Sequence, residues 1–155
     1  MAVLGIGATG TVLAAALLSK HPDTFLVGRT ADLGKELEQK GIRVSGEINI
    51  KAAVKYYSGQ IQDLGDFKPS VIFLTAKTFH LETVLENLQE VFEPGMKIVA
   101  CQNGLGPEDL VADTFGQEAA LRVEEFFQAF QGLVEGADEL PDFIVAGFLL
   151  GNAHR

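Results

Sequence analysis

Apolar and polar residues are arranged along this chain in two patterns that alternate with each other. Short, almost continuous apolar runs predict buried strands, at residues 2–6, 24–27, 71–75 and 97–101. Longer segments in which apolar residues recur every three or four positions predict helices, at residues 10–20, 31–40, 81–92 and 107–115. Strands that alternate with helices indicate an α/β fold built on a parallel, doubly wound sheet.

Two stretches depart from this alternation. In residues 42–57 apolar and polar residues alternate, which predicts half-exposed strands and a hairpin that turns near Gly46. Beyond residue 122 the pattern loosens. Residues 124–133 indicate a helix, and the apolar run at 143–150 fits a strand or a helix.

Three glycines, Gly5, Gly7 and Gly10, form the pattern G-x-G-x-x-G between the first predicted strand and the first predicted helix. The first permits a tight turn, the second lets the backbone approach a pyrophosphate, and the third lets the helix pack closely on the strand. The N–H groups of Ala8 and Thr9, where the helix starts, would point at the phosphates. A glycine-rich turn without a ligand is the alternative, but the flanking strands and helix favour a Rossmann-type dinucleotide site.

The residues after the second predicted strand bear on the choice of cofactor. In NAD-binding proteins an Asp or Glu at this position usually accepts a hydrogen bond from the ribose 2′-hydroxyl. Here the position is Gly28, and Arg29 and Thr30 follow it. A guanidinium can hold a 2′-phosphate with two hydrogen bonds, whereas a carboxylate would repel it. The sequence favours NADP(H) over NAD, with a solvated surface arginine as the alternative interpretation of Arg29.

Polar residues follow the third and fourth apolar runs, at the strand ends where open α/β sheets bind ligands. Lys77 could neutralise a substrate carboxylate or a developing alkoxide. Asn103 could donate a hydrogen bond to a carbonyl oxygen or to a ribose. The alternatives are a surface lysine that begins a helix and an asparagine suited to a left-handed turn.

Four motifs, in this order and spacing, resemble the N-terminal domain of the ketopantoate reductases (2-dehydropantoate 2-reductases). They are Gly-Ile-Gly-Ala-Thr-Gly, Leu-Val-Gly-Arg, Ala-Lys-Thr-Phe and Gln-Asn-Gly-Leu-Gly, and the resemblance covers about residues 1–122. Members of that family reduce ketopantoate to pantoate with NADPH, on the route to pantothenate and coenzyme A. The resemblance implies an NADP-dependent oxidoreductase whose substrate is a small 2-keto acid.

The resemblance also implies roles for single residues. The three glycines would hold the pyrophosphate, and Arg29 would hold the 2′-phosphate. Lys77 and Asn103 would face the nicotinamide ribose and the substrate, which makes them the candidate catalytic residues. Gln102 shares the motif of Asn103 without a defined role. The family binds its substrate in a cleft between the Rossmann domain and an all-helical domain.

The chain departs from the family near Arg122. The family's helical domain supplies a lysine that acts as general acid, yet this sequence has no lysine after Lys97. We therefore expect a Rossmann domain over residues 1–122 and a short helical remnant over residues 123–155. A truncated chain, a sequence with residues omitted and a reduced relative all fit this pattern. The alternative function is an NADP(H)-binding module without turnover.

Composition narrows the classes of function. The chain of 155 residues is 47% apolar and carries a formal net charge of −9, so we expect a globular domain that does not bind nucleic acid. No apolar run reaches the roughly eighteen residues of a membrane span, and the N-terminus lacks the basic start of a secretory signal. The single cysteine, Cys101, excludes an internal disulfide and fits a cytoplasmic location.

The remaining candidates are interpreted as structural. His21 and His80 stand alone and indicate no metal site, and no histidine is placed to activate Cys101. For His80 alone, which begins a helix three residues after Lys77, a minor role near the site is kept as the alternative. Asn152 and His154 are assigned to a frayed terminus. The acidic segment near the end of the chain is rich in phenylalanine, which is typical of a core or of a homodimer interface.

Overall fold

The computed structural model describes residues 1–46, 49–77, 80–102 and 106–122. Within these ranges the strands are β1 (Ala2–Leu4), β2 (Phe25–Val27), β3 (Ile42–Val44), β4 (Ile50–Ala52), β5 (Tyr56–Ser58), β6 (Val71–Leu74), β7 (Lys97–Ala100) and β8 (Ala120–Arg122). The helices are α1 (Ala8–Lys20), α2 (Ala31–Lys40), α3 (Leu64–Phe67), α4 (Leu81–Gln89) and α5 (Pro107–Phe115). A short 3-10 helix, Ile61–Asp63, leads into α3.

Among the described residues, the main sheet has six strands in the spatial order β5-β2-β1-β6-β7-β8, and every neighbouring pair is parallel. The chain moves outward from β1 through β2 to β5, and then returns to the other side of β1 to build β6, β7 and β8. The direction of winding therefore reverses between β1 and β6. In open α/β sheets the crevice at the carboxyl ends of such a pair binds ligands. The predicted Rossmann-type sheet is confirmed.

Side chains along the central strands alternate between two hydrophobic layers. The layer beneath α1, α2 and the β3–β4 hairpin takes these strand residues: Val3, Leu26, Phe73 and Val99. The layer beneath α3, α4 and α5 takes their neighbours along the chain, among them Leu4, Val27, Leu74 and Ile98. Because both faces of the sheet are covered, the central strands need apolar residues at every position.

Helix α1 is covered on two sides, by the main sheet and by the hairpin. Its buried residues are Gly10, Leu13, Ala14, Ala15, Ala16, Leu17 and Leu18. A helix buried on two sides is apolar almost all round, as this one is. Val12 is an apolar residue of the same helix, but it is 37% exposed because it faces neither the sheet nor the hairpin.

The segment 42–57 folds only partly as its alternating pattern predicts. Strands β3 and β4 pair antiparallel, with Ile42 opposite Ala52, so the predicted hairpin is confirmed. Strand β5 does not join that hairpin and instead pairs with β2 at the edge of the main sheet. Helix α4 ends at Gln89, somewhat before the predicted limit.

The helix and the apolar run predicted beyond Arg122 lie outside the described residues, as do Asn152 and His154. The division of the chain at residue 122 therefore stays a prediction. In the ranges that the structure describes, no helix is long and apolar enough to cross a membrane.

Candidate functional site

Gly5 makes a tight turn at the carboxyl end of β1. Its φ of +102° lies in the left-handed region that residues with a side chain disfavour. A Cβ atom there would lie 2.7 Å from the amide nitrogen of Ala76, because the loop after β6 passes directly against the turn. The N–H of Gly5 donates to the carbonyl of Val27 at 2.9 Å, which extends the β1–β2 pairing into the turn.

Thr75 links this turn to the end of β6, a contact that sequence reasoning missed. Its hydroxyl oxygen lies 2.6 Å from the carbonyl oxygen of Gly5 and 2.9 Å from that of Leu4, which share its single proton. Gly10 packs against the Gly5 carbonyl and the Thr75 hydroxyl. A Cβ on Gly10 would overlap the Gly5 carbonyl oxygen and lie 2.6 Å from the Thr75 hydroxyl oxygen. Only a glycine lets α1 begin this close to β1.

The start of α1 has the features of an anion site. Gly7, Ala8 and Thr9 are exposed, and a Cβ on Gly7 would meet no atom of the described residues within 4 Å. The first-turn amides of a helix have no intrahelical carbonyl to bond, and they carry the positive end of the helix dipole. No acidic residue occupies this turn, and Gly7 offers no side-chain cap. The backbone of the loop is therefore open to a phosphate group.

Arg29 lies immediately beyond β2, between Gly28 and the N-cap residue of α2. Its side chain is exposed, and it makes no hydrogen bond or ion pair with another described residue. The first carboxylate after it, that of Asp32, pairs with Lys35 at 3.4 Å. The guanidinium is therefore available to an anion at this edge of the sheet.

Tyr57 on β5 holds the turn around Arg29, and sequence reasoning missed this residue too. Its hydroxyl donates to the carbonyl of Thr30 at 2.7 Å. Its ring fills the space that side chains at Gly28 and Gly34 would need. The sequence signals this contact only through those two glycines, whose partner cannot be identified before the strand order is known.

Lys77 is exposed beyond the carboxyl end of β6, the strand beside β1. The end of β7 adjoins the end of β6, because the N–H of Cys101 donates to the carbonyl of Leu74 at 2.9 Å. Asn103 lies outside the described residues, so its approach to Lys77 stays a prediction. Gln102 has a buried side-chain amide whose nitrogen and oxygen both lack a partner among the described residues.

The two histidines in the described residues do not form a metal site with their neighbours. His21 follows α1, where burial lowers its pKa, and His80 precedes α4. Throughout the described part of the chain, no group of three or more His, Cys, Asp or Glu residues could hold a metal ion.

Cys101 is only 6% exposed, and burial raises the pKa of its thiol far above the ordinary value. Since the thiolate is the reactive form, we expect the native protein to resist alkylation by iodoacetamide at neutral pH. Addition of denaturant should expose the thiol and allow complete labelling, which mass spectrometry would detect. Rapid labelling of the folded protein would contradict the buried position of this side chain.

Comparison with known proteins agrees with this architecture. Residues 1–132 match the sequence profile of the family described as Ketopantoate reductase PanE/ApbA. A curated 2-dehydropantoate 2-reductase from Pyrococcus horikoshii is 24% identical over 115 residues, which are 74% of this chain and 36% of that protein. The chain thus spans little more than a third of this relative's length.

Solved structures share the fold. A 2-dehydropantoate 2-reductase from Geobacter metallireducens superposes with a TM-score of 0.66 at 23% identity, over 79% of this chain and 40% of that one. A glycerol-3-phosphate dehydrogenase from Coxiella burnetii superposes with a TM-score of 0.60 at 23% identity, over 75% of this chain and 37% of that one. Because these two names denote different enzymes, structural likeness at this identity shows the fold alone. The profile match covers most of the chain, which therefore belongs to the ketopantoate reductase family.

Proposed function

We propose that this chain binds NADP(H) and forms the cofactor-binding part of a reductase of ketopantoate or a related 2-keto acid. The observation that carries the choice of cofactor is the guanidinium of Arg29, which has no partner among the described residues and directly follows Gly28, the position where NAD-binding proteins carry a carboxylate. Family membership supports the reaction, since the matched relatives are named 2-dehydropantoate 2-reductases. The activity is proposed for a whole protein of this family, because the matched relatives are longer than this chain.

The glycine loop fits the pyrophosphate of such a cofactor. Gly7 leaves the space above the loop open, and the first-turn amides of Ala8, Thr9 and Gly10 would donate to the phosphate oxygens. Arg29 would bind the 2′-phosphate at the far end of β2. Bound NADPH supplies a hydride to a carbonyl carbon, and the residues of this chain bind and orient the two reactants.

Lys77 and Asn103 are the residues proposed to act on the substrate. The Lys77 ammonium would pair with the substrate carboxylate or stabilise negative charge on the carbonyl oxygen as the hydride arrives. The Asn103 amide would donate to that oxygen or to the ribose. Strand pairing supports a common position for them, because the segments that carry them follow the adjacent strands β6 and β7.

Replacing Arg29 by alanine tests the choice of cofactor. The loss of a charge-assisted contact should weaken NADPH binding by about 1.5–3 kcal/mol, on the order of ten- to a hundredfold, and leave NADH binding almost unchanged. Titration of each cofactor, followed by the fluorescence of its reduced nicotinamide, gives the two dissociation constants.

Arg43, an exposed arginine of the hairpin, provides the matched control. Arg43→Ala removes the same charge from the same protein but not from the edge beyond β2, so both affinities should stay at their wild-type values. Equal losses for NADPH and NADH in Arg29→Ala would contradict the role given to Arg29. Failure of the unchanged chain to bind either cofactor would contradict the proposed function itself.

The reaction is tested by following NADPH oxidation with ketopantoate and a panel of other 2-keto acids. Turnover confined to ketopantoate or a close analogue is the expected result. Tight NADPH binding without turnover across the panel would instead favour the second candidate, a binding module.

The cellular location, the domain division and the oligomeric state of the protein are also proposals. A cytoplasmic enzyme of pantothenate biosynthesis fits a chain whose single cysteine is buried. The division into a Rossmann domain over residues 1–122 and a helical segment over 123–155 follows the weakening of the sequence pattern. A homodimer formed through the phenylalanines of the second segment would give them a buried surface.

A further inference from the structure

Arg29 lies in a turn whose two flanking residues are both anchored to strand β5. On one side, the N–H of Gly28 donates to the carbonyl of Ser58 at 3.0 Å. On the other side, the carbonyl of Thr30 accepts the hydroxyl of Tyr57 at 2.7 Å. The backbone of Arg29 is thus held between two hydrogen bonds, although its side chain has no partner among the described residues.

The Tyr57 ring fits a slot made by two glycines. A Cβ on Gly28 would overlap the Tyr57 hydroxyl, and a Cβ on Gly34 would overlap the edge of its ring. Burial raises the pKa of the Tyr57 hydroxyl above its ordinary value. The Thr30 side chain in turn caps α2 by accepting the N–H of Leu33 at 3.3 Å. Tyr57 therefore fixes both the turn and the start of the helix that follows it.

We propose that Tyr57 is a positioning residue that sets the preference for a 2′-phosphorylated nucleotide by acting through Arg29. This inference rests on the proposed function. Phosphate binding must order both the Arg29 side chain and the turn that carries it, and a turn that is already fixed in the free protein removes the second of these costs. Tyr57 also fills the space beside Gly28, so the carboxylate-bearing residue of an NAD-type site cannot stand there without displacing the ring.

Tyr57→Phe separates this role from simple packing. The variant keeps the ring between the two glycines and removes only the hydrogen bond to the Thr30 carbonyl. That carbonyl is near the surface and can bond to water instead, so the melting temperature should change little. The NADPH dissociation constant should rise about three- to tenfold, the range expected for one lost hydrogen bond, and that for NADH should not change.

A double-mutant cycle with Arg29→Ala tests whether Tyr57 acts through the guanidinium. If it does, adding Tyr57→Phe to Arg29→Ala should leave the NADPH dissociation constant where Arg29→Ala alone puts it. The matched control is Tyr56→Phe, one residue earlier on β5. The Tyr56 side chain is 42% exposed, and its hydroxyl makes no hydrogen bond with another described residue, so this variant should bind both cofactors like the unchanged chain.

Three results would overturn the inference. Equal loss of NADPH and NADH binding in Tyr57→Phe would indicate a merely structural role. A full additional loss in the Arg29→Ala background would show that Tyr57 acts independently of Arg29. Unchanged NADPH binding in Tyr57→Phe would show that the Tyr57 hydroxyl does not contribute to cofactor affinity. Each of these leaves the proposed function intact as long as Arg29→Ala alone weakens NADPH binding, so the two failures are distinguishable.

Discussion

Gly10→Ala is expected to destabilise the protein by about 3 kcal/mol, although alanine is ordinarily the better helix former by roughly 1 kcal/mol. The sign reverses because the added Cβ would overlap the Gly5 carbonyl oxygen, a backbone atom that no rotamer change can move. Either α1 must shift away from β1 or the Gly5 turn must open. Opening the Gly5 turn would also break the hydrogen bond that Thr75 donates to the Gly5 carbonyl. Urea unfolding followed by far-UV circular dichroism measures the loss, since the chain has no tryptophan.

Two other glycines provide the controls for this prediction. In the part of the chain that the structure describes, a Cβ on Gly7 would meet no atom within 4 Å, and one on Gly65 in α3 would make an ordinary contact of 3.4 Å with the Val91 side chain. Gly7→Ala and Gly65→Ala should therefore unfold within about 1 kcal/mol of the unchanged protein. If Gly10→Ala were as stable as these two, the close approach of α1 to β1 would be wrong.

The sequence predicts the covered part of the sheet well and its edges poorly, for one physical reason. Central strands such as β6, buried on both faces, need continuous apolar residues and are therefore visible as runs. In the part of the sheet that the structure describes, the two outer strands, β5 with Tyr-Tyr-Ser and β8 with Ala-Leu-Arg, pair with a neighbour on one side only. With less surface to bury, they carry no apolar run that distinguishes them from a loop.

In the candidate site, contacts between residues close in the sequence could be predicted, whereas contacts between residues far apart in it could not. The Gly5 turn and the start of α1 follow from residues adjacent in the chain, so a motif could predict them. Thr75 and Tyr57 act on residues far away in the sequence, through a strand order that emerges only when the sheet forms. Gly28 illustrates the difference. The sequence marks it as the position without a carboxylate, whereas the structure shows that Tyr57 fills the space a side chain there would need.

Helix α1 connects the hydrophobic core to the proposed phosphate site, which makes Leu13 the next residue to test. Its side chain is 1% exposed and belongs to the layer beneath the hairpin and α2. Leu13→Ala removes apolar contacts and leaves a cavity that the rigid sheet cannot close. The expected cost is about 2–5 kcal/mol in the free energy of unfolding, the usual range for a buried leucine. Urea titration gives this value directly.

Leu110 on α5 is the matched control because it is also a helical leucine but is 38% exposed. Leu110→Ala removes the same atoms from a surface where water already reaches them, so it should cost less than about 1 kcal/mol. The contrast between the two variants measures how firmly the sheet and the hairpin enclose α1. Equal costs for both would mean that α1 is not enclosed in this way. The position of its first-turn amides, on which the proposed pyrophosphate site depends, would then have no support from the core.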